Sequence, residues 1–183
     1  MSFVPRLDDT GIANNPKWYS DNPFYQSGFG LPNCTCYAWG RFWEESNDDV
    51  NSMDNKPTQL PTGDAGVWFP RAVASGYYET GQIPQLGAVI CFERTGHAGH
   101  VAIVEEIDAT TQEITCSNSE YQGRYFYVTH ISPDSNGRYN WGAYVHQGFI
   151  YNPFVTPGPP PTPTEEKKRF PWVLYARKLR NRR

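Results

Sequence analysis

Cys34 stands where the sequence changes from turn-forming chain to a helical pattern. Residues 27–32 contain two glycines and a proline, and apolar side chains follow at helical spacing, at Cys34, Tyr37, Ala38 and Phe42. A thiol in the first turn of a helix faces unpaired backbone N–H groups and the positive end of the helix dipole, and both favour the thiolate. The pattern therefore predicts Cys34 as a nucleophile. Cys36 lies about half a turn away and is predicted to fill the core.

A candidate base and a candidate orienting group follow later in the chain. His100 begins an apolar strand directly after a glycine-containing segment, where an imidazole can exchange protons with a thiol and a leaving amine. Asn118 ends the next predicted strand. If these strands form an antiparallel hairpin, the two side chains lie at the same end of it, and the amide can fix the imidazole tautomer. The three residues predict a Cys-His-Asn triad.

Two other interpretations compete for the same residues. A free cysteine is often only a small buried hydrophobe, and a histidine at a strand end is often structural. Cys34-x-Cys36 and His97-x-x-His100 could also bind zinc, but residues i and i+2 of a helix point about 200° apart. Only an unwound segment would let both thiols reach one ion, so we predict no metal site.

Four segments resemble the conserved motifs of one enzyme family in order and spacing. They are Asn33-Cys34-Thr35 with Tyr37-Ala38, Gly63-Asp64-Ala65 with Trp68, Pro84-Gln85-Leu86-Gly87-Ala88-Val89, and Gly99-His100-Val101-Ala102. The sequence resembles the CHAP family, the cysteine, histidine-dependent amidohydrolases/peptidases with a papain-like core, over roughly residues 20–152. Ser117-Asn118-Ser119-Glu120 departs from the family pattern, in which a glutamate usually comes first and an asparagine two residues later.

The resemblance implies roles for individual residues. Cys34 would be the nucleophile, His100 the base, and Asn33 an oxyanion contributor beside the backbone N–H of Cys34. Asn118 is the preferred partner of His100, and Glu120 is the reserve. His-paired thiols of this kind can have pKa values of about 3–4, so a thiolate–imidazolium ion pair is expected across neutral pH.

The elements that would position these residues follow an α+β order. A helix is predicted after Pro32, and one or two short helices are predicted within 67–74. Strands are predicted at 87–92, 100–104, 113–117 and 125–131, with a last one within 141–151, and their close spacing favours antiparallel neighbours. We therefore predict a papain-like domain in which N-terminal helices pack on an antiparallel sheet.

The composition divides the chain of 183 residues into three parts. Residues 1–154 form the predicted catalytic domain, including an irregular aromatic arm over 1–26. Residues 155–164 form a proline-rich linker, and residues 165–183 a basic, amphipathic tail. Residues 1–164 hold 8 Lys and Arg against 17 Asp and Glu, and residues 165–183 hold 8 against 2. The acidic body and the basic tail are expected to have different partners.

The resemblance implies a peptidoglycan hydrolase that cleaves an amide bond, as an amidase or an endopeptidase. With no apparent signal peptide, it is expected to be made in a host cytoplasm and to act at the bacterial wall, as a bacteriophage lysin or a tail-associated enzyme. The tail could contact other virion proteins or an anionic membrane; nucleic acid is not an expected partner. No cofactor is predicted, because no segment has the oxygen-ligand pattern of a calcium loop, although some relatives bind calcium. The alternatives are an inactive virion module that binds cell wall, and a papain-like protease or acyltransferase acting on protein.

Overall fold

The computed structural model describes residues 3–47, 49 and 51–155 of the protein, and helices precede strands along this part of the chain. The helices are α1 (Pro23–Gln26), α2 (Cys34–Glu44) and α3 (Trp68–Ser75), with a turn of 3-10 helix (Ala65–Val67) directly before α3. The strands are β1 (Thr80–Gly81), β2 (Val89–Glu93), β3 (His100–Ile107), β4 (Ile114–Asn118), β5 (Tyr127–Ile131) and β6 (Val145–Ile150). The predicted α+β fold class is confirmed.

The strands form one six-stranded sheet with the order β1-β6-β2-β3-β4-β5. All neighbours are antiparallel, and β2 to β5 follow one another as the sequence predicts. The position of β6 differs from chain order, because it returns across the sheet and pairs with β2, with Val89 opposite Ile150. The short strand β1 then pairs with the outer edge of β6.

Both faces of the sheet are covered, so its central strands are apolar on both sides. In β2, Val89 and Cys91 belong to the core that contains α2, whereas Ile90 and Phe92 belong to a second core on the opposite face. This alternation follows from the two-residue repeat of a strand. Packing on both faces of the sheet therefore holds β3 and β4 in place.

The N-terminal arm packs its aromatic rings onto α2. Trp18 is fully buried, and its indole N–H donates to the carbonyl of Tyr37 at 3.0 Å. The ring lies against Gly40, where an added Cβ would come within 2.4 Å of it. A helix-interior glycine weakens a helix on its own, but here it provides the room that Trp18 needs. The arm thereby covers the middle of α2.

A buried ionic cluster joins the second half of α2 to β3. Arg41 contacts Glu44 and Glu45 on its own helix, and its Nε and Nη2 donate to Glu105 of β3 at 3.0 and 2.8 Å. Glu105 is fully buried and also accepts from the hydroxyl of Ser117 at 2.6 Å. Two guanidinium N–H groups on one carboxylate fix both distance and angle. The cluster therefore sets how α2 lies on the sheet.

A second guanidinium, that of Arg6, completes the ionic cluster by pairing with Glu44. Burial raises the pKa of Glu45 well above its ordinary value, because it outweighs the attraction of Arg41. The cluster therefore brings two guanidinium groups against three acidic side chains, those of Glu44, Glu45 and Glu105, and burial acts against charge on Glu45.

The predicted tail of residues 165–183 lies outside the described residues, as does the predicted linker from residue 156 onward. Within the described part, no helix combines the length and apolar character needed to cross a membrane.

Candidate active site

Cys34 is the first residue of α2, as predicted, and the side chain before it caps the helix. Asn33 has an extended backbone (φ −167°, ψ 131°), and its Oδ1 accepts from the backbone N–H of Thr35 at 3.0 Å. The backbone amides of Val101 in β3 and of Thr35 and Cys34 in this first turn lower the pKa of the thiol. Val101 follows His100, so the thiol lies against the start of the strand that carries the predicted base.

The two thiols of the motif differ in their surroundings. Cys34 lines an open groove, whereas Cys36 is fully buried and its Sγ donates to the carbonyl of Trp18 at 3.4 Å. The predicted core role of Cys36 is confirmed. All four cysteines are buried and free of disulfide bonds. Among the residues the structure describes, no three His, Cys, Asp or Glu side chains are grouped so that they could hold a metal ion.

The side chains of His100 and Asn118 meet at one end of the β3–β4 hairpin. The imidazole Nε2 and the amide Oδ1 are 3.0 Å apart, and both residues are buried. The amide orientation is fixed by its other end, because Nδ2 donates to the carbonyl of Cys116 at 2.9 Å. Oδ1 can only accept, so Nε2 of His100 carries the proton. Nδ1 is then the basic nitrogen of the neutral ring.

Two hydroxyl groups that the sequence did not single out support this arrangement. Thr129 of β5 accepts the second N–H of the Asn118 amide at 2.9 Å. Ser119, which is fully buried, accepts the backbone N–H of Asn33 at 3.0 Å. A hydrogen bond therefore joins Asn33, which precedes Cys34, to Ser119, which follows Asn118. Nothing local in the sequence marks either hydroxyl, because both contacts depend on the paired strands.

Burial opposes the charged forms of both Cys34 and His100. It raises the pKa of the Cys34 thiol to about 11, although backbone hydrogen bonds from Val101, Thr35 and Cys34 itself act in the opposite direction. Burial also lowers the pKa of His100, against the effect of its hydrogen bond to Asn118. These shifts do not favour the ion pair expected from the sequence. They favour a thiol and an imidazole that become charged only by transferring the proton between them.

The groove beside Cys34 has a volume of about 720 Å³. Asn33, Cys34, His100 and Glu120 all line it, whereas Asn118 lies behind His100. The Asn33 amide already bonds within the protein, because Nδ2 donates to the carbonyl of Phe29 at 3.0 Å and Oδ1 is used by Thr35. The second N–H of Nδ2 has no acceptor in the described part of the chain. The exposed Glu120 pairs with Arg124 at 3.5 Å and makes no hydrogen bond to His100.

Aromatic rings pack around His100, and one of them, Tyr144, also lines the groove. Trp141 and Tyr144 lie 5.4 and 5.6 Å from the imidazole, measured between ring centroids, and they stack on one another at 5.5 Å. Phe92 of β2 packs beside the same ring. Such a wall excludes water from the bond between His100 and Asn118, which strengthens that bond.

Two comparisons with known proteins identify what this chain is similar to. The family model described as CHAP domain matches residues 24–120, which is slightly more than half of the chain. A solved structure of N-acetylmuramoyl-L-alanine amidase from Staphylococcus aureus is 25% identical over 65% of this chain, with a TM-score of 0.41. The match covers 32% of that chain, so this protein corresponds to about a third of the amidase's length.

Proposed function

This chain belongs to the CHAP domain family, and we propose that it hydrolyses an amide bond of peptidoglycan with the thiol of Cys34 as nucleophile. One observation carries the proposal. Cys34 and His100 line the same groove, and the ring of His100 is held through Nε2 by Asn118. A nucleophile, a base and a group that orients the base are the minimum for acyl transfer to a thiol.

In the proposed acylation step, the Cys34 sulfur attacks the substrate carbonyl while its proton passes to Nδ1 of His100. The backbone N–H of Cys34 and the unused N–H of Asn33 stabilise the negative charge on the carbonyl oxygen. The C–N bond then breaks, and the amine leaves with the proton from the imidazolium. Because the proton moves during attack, the high pKa of the free thiol does not prevent the reaction.

In the deacylation step, water attacks the thioester and gives a proton to Nδ1 of His100. The carboxylic acid product leaves, and the thiol is restored with that proton. Asn118 keeps Nε2 protonated throughout, so Nδ1 remains the nitrogen that exchanges protons. Glu120 plays no part in these steps, and it stays the reserve partner for His100 only if Asn118 is replaced.

The proposal is tested by the loss of turbidity of purified Gram-positive cell walls, with mass spectrometry of the released fragments. Replacing Cys34 by Ala should lower the rate at least ~10³-fold, because removal of a triad nucleophile can cost about 10⁶-fold in kcat. Cys36→Ala removes the same atom two residues away in the core and should keep activity. Equal rates for wild type and Cys34→Ala would refute a catalytic thiol. An inactive wild type that still binds walls would favour a binding module.

We also propose that the enzyme belongs to a bacteriophage, as a lysin or a tail-associated hydrolase, and that residues 165–183 attach it to virion proteins or to an anionic membrane. The support is the charge division between an acidic body and a basic tail. Deletion of residues 165–183 should prevent incorporation into particles and leave activity on isolated walls unchanged. Loss of that activity as well would contradict an anchoring role.

A further inference from the structure

The groove carries a charge that the proposed chemistry does not use. Its described lining contains two carboxylates, Asp64 and Glu120, and neither Lys nor Arg. A negative groove attracts cationic groups and repels carboxylates, and its low-dielectric walls strengthen both effects. The charge therefore bears on which substrates the groove accepts.

Asp64 differs from several other turn aspartates because its carboxylate accepts no hydrogen bond from the described residues. The side chains of Asp8, Asp108 and Asp134 each accept backbone N–H groups two to four residues on. Asp64 precedes the 3-10 helix Ala65–Val67, yet its side chain accepts no capping hydrogen bond. It also forms no ion pair with any of the described residues. An exposed carboxylate without a protein partner is free to bind a ligand.

The backbone holds Asp64 beside the catalytic strand. The N–H of Gly66 donates to the carbonyl of Ala98 at 2.7 Å, two residues before His100. Gly99 packs so closely that an added Cβ would lie 2.5 Å from the nitrogen of Gly66. The segment carrying Asp64 therefore cannot move away from the groove without breaking this contact. Its negative charge reaches the nucleophile, because it contributes to the raised pKa of Cys34.

Glu120 is less available than Asp64 for binding a ligand. Its carboxylate lies 3.5 Å from Nε of Arg124, and the Arg124 guanidinium rests over the ring of Tyr127 at 3.7 Å. The pair is exposed and weak, but it supplies Glu120 with a local cation. Asp64 forms no ion pair among the described residues, because the guanidinium of Arg71, which lies against Gly63, donates instead to the carbonyl of Thr62.

We propose that Asp64 binds a protonated amino group of the substrate next to the scissile amide, so that the enzyme selects amine-bearing stem peptides. This inference rests on the proposed function, and it names the substrate feature that the same groove recognises. An ammonium group on Asp64 would offset the charge that opposes thiolate formation. Binding the correct substrate would thus ease proton transfer from Cys34 to His100.

The test compares soluble stem-peptide substrates that differ only in their amines. One has a free terminal α-amine, a second has a free side-chain amine, and a third has both acetylated. Wild type should cleave one of the first two about tenfold better in kcat/KM than the acetylated peptide, which corresponds to one charge-assisted contact. The preference should weaken as salt is raised. The peptide that wild type prefers then identifies which amine, terminal or side-chain, binds to Asp64.

Asp64→Asn should remove the preference, by lowering the rate on the amine-bearing peptide to that on the acetylated one. Glu106→Gln removes one negative charge at the far end of β3 and should keep the preference. An unchanged preference in Asp64→Asn overturns the inference while leaving hydrolysis in place.

If wild type cleaves none of the peptides, the proposed function fails, and binding tests the inference separately. Cys34→Ala should bind the amine-bearing peptide about tenfold tighter than the acetylated one by calorimetry, and introducing Asp64→Asn as well should abolish this difference. Equal binding of the two peptides by Cys34→Ala would overturn the role of Asp64.

Discussion

Helix α2 packs against strand β3, and the polar groups at the two ends of this contact differ in their charge. At the end where both elements begin, Cys34 and His100 face a groove, and burial favours their neutral forms. Towards the other end, Arg41 and Glu105 form a buried ion pair that is joined by two hydrogen bonds. Full charges are tolerated where nothing has to move, because fixed partners surround them. In the proposed mechanism, Cys34 and His100 are neutral before the reaction and acquire charge only during it.

The ionic end should have the larger effect on stability. Arg41→Met keeps much of the side-chain volume but leaves Glu105 buried without its cation. Removal of one partner of a buried ion pair costs about 3–5 kcal/mol. Urea denaturation followed by circular dichroism would measure this loss. Val73→Met places the same side chain at an exposed site of α3 and should unfold like wild type. A cost below about 1 kcal/mol for Arg41→Met would show that the cluster does not anchor α2.

The neutral end should control the rate rather than the stability. Asn118→Ala should lower kcat/KM about 10- to 100-fold, because the imidazole loses its fixed tautomer and orientation. The measurement is the pH profile of kcat/KM. In wild type, activity requires neutral His100, so the acid limb should lie below pH 6.5, since burial lowers the pKa of this group.

The hydrogen bond to Asn118 raises the pKa of His100, so Asn118→Ala should move the acid limb to lower pH. Asn118→Asp retains the acceptor and adds a negative charge, which should move the limb upward. Identical profiles for the three proteins would mean that Asn118 does not position His100.

A third prediction concerns His146, a neutral imidazole that lies in the core without a reactive role. It is buried among Tyr139, Phe149 and Phe92, and neither ring nitrogen has a hydrogen-bond partner among the described residues. Burial lowers its pKa from 6.5 to about 4. The unfolded chain binds a proton between these pH values and the folded protein does not. The contribution of neutral His146 to stability is therefore complete above pH 6.5 and is lost as the pH falls towards 4.

His146→Phe should remove part of that acid sensitivity. We expect a gain of about 1–2 kcal/mol at pH 5 relative to wild type, and a smaller gain at pH 7.5. Urea denaturation at the two pH values measures both gains. His130→Phe, at an exposed site of β5, is the matched control and should show no such gain. Equal gains for His146→Phe at the two pH values would contradict titration of His146.

The smallest effect is expected at Thr129, which supports the catalytic end indirectly. Thr129→Val removes the hydroxyl that accepts from the Asn118 amide but leaves the carbonyl of Cys116 as acceptor. We expect kcat/KM to fall about two- to fivefold with little change in stability, since one hydrogen bond is worth about 1 kcal/mol. Thr129→Ser keeps the hydroxyl and should restore the rate. Failure of the serine variant to do so would indicate that packing, not the hydrogen bond, matters.

Local patterns in the sequence were sufficient for the elements that carry the site. The helix after Pro32 and the hairpin from His100 to Asn118 could be predicted because their signals lie within a few residues. The pairing of β6 with β2 could not, because it joins segments that are distant in sequence. The charge state of Cys34 stays a prediction. The sequence shows the helix N-terminus that favours a thiolate, but it does not show the burial that opposes a thiolate.

The central position of β6 has a consequence for the order in which the domain can assemble. The family match ends at residue 120, before β5 and β6, yet Val145–Glu93 and Ile150–Val89 pairs complete the sheet at β2. During synthesis, one edge of β2 stays unpaired until residue 150 has left the ribosome, and an unpaired edge invites association with other chains. A fragment trimmed to residues 24–120 would keep Cys34, His100 and Asn118 but expose this edge. A fragment that ends before β6 is therefore expected to associate with other chains more readily than the whole domain.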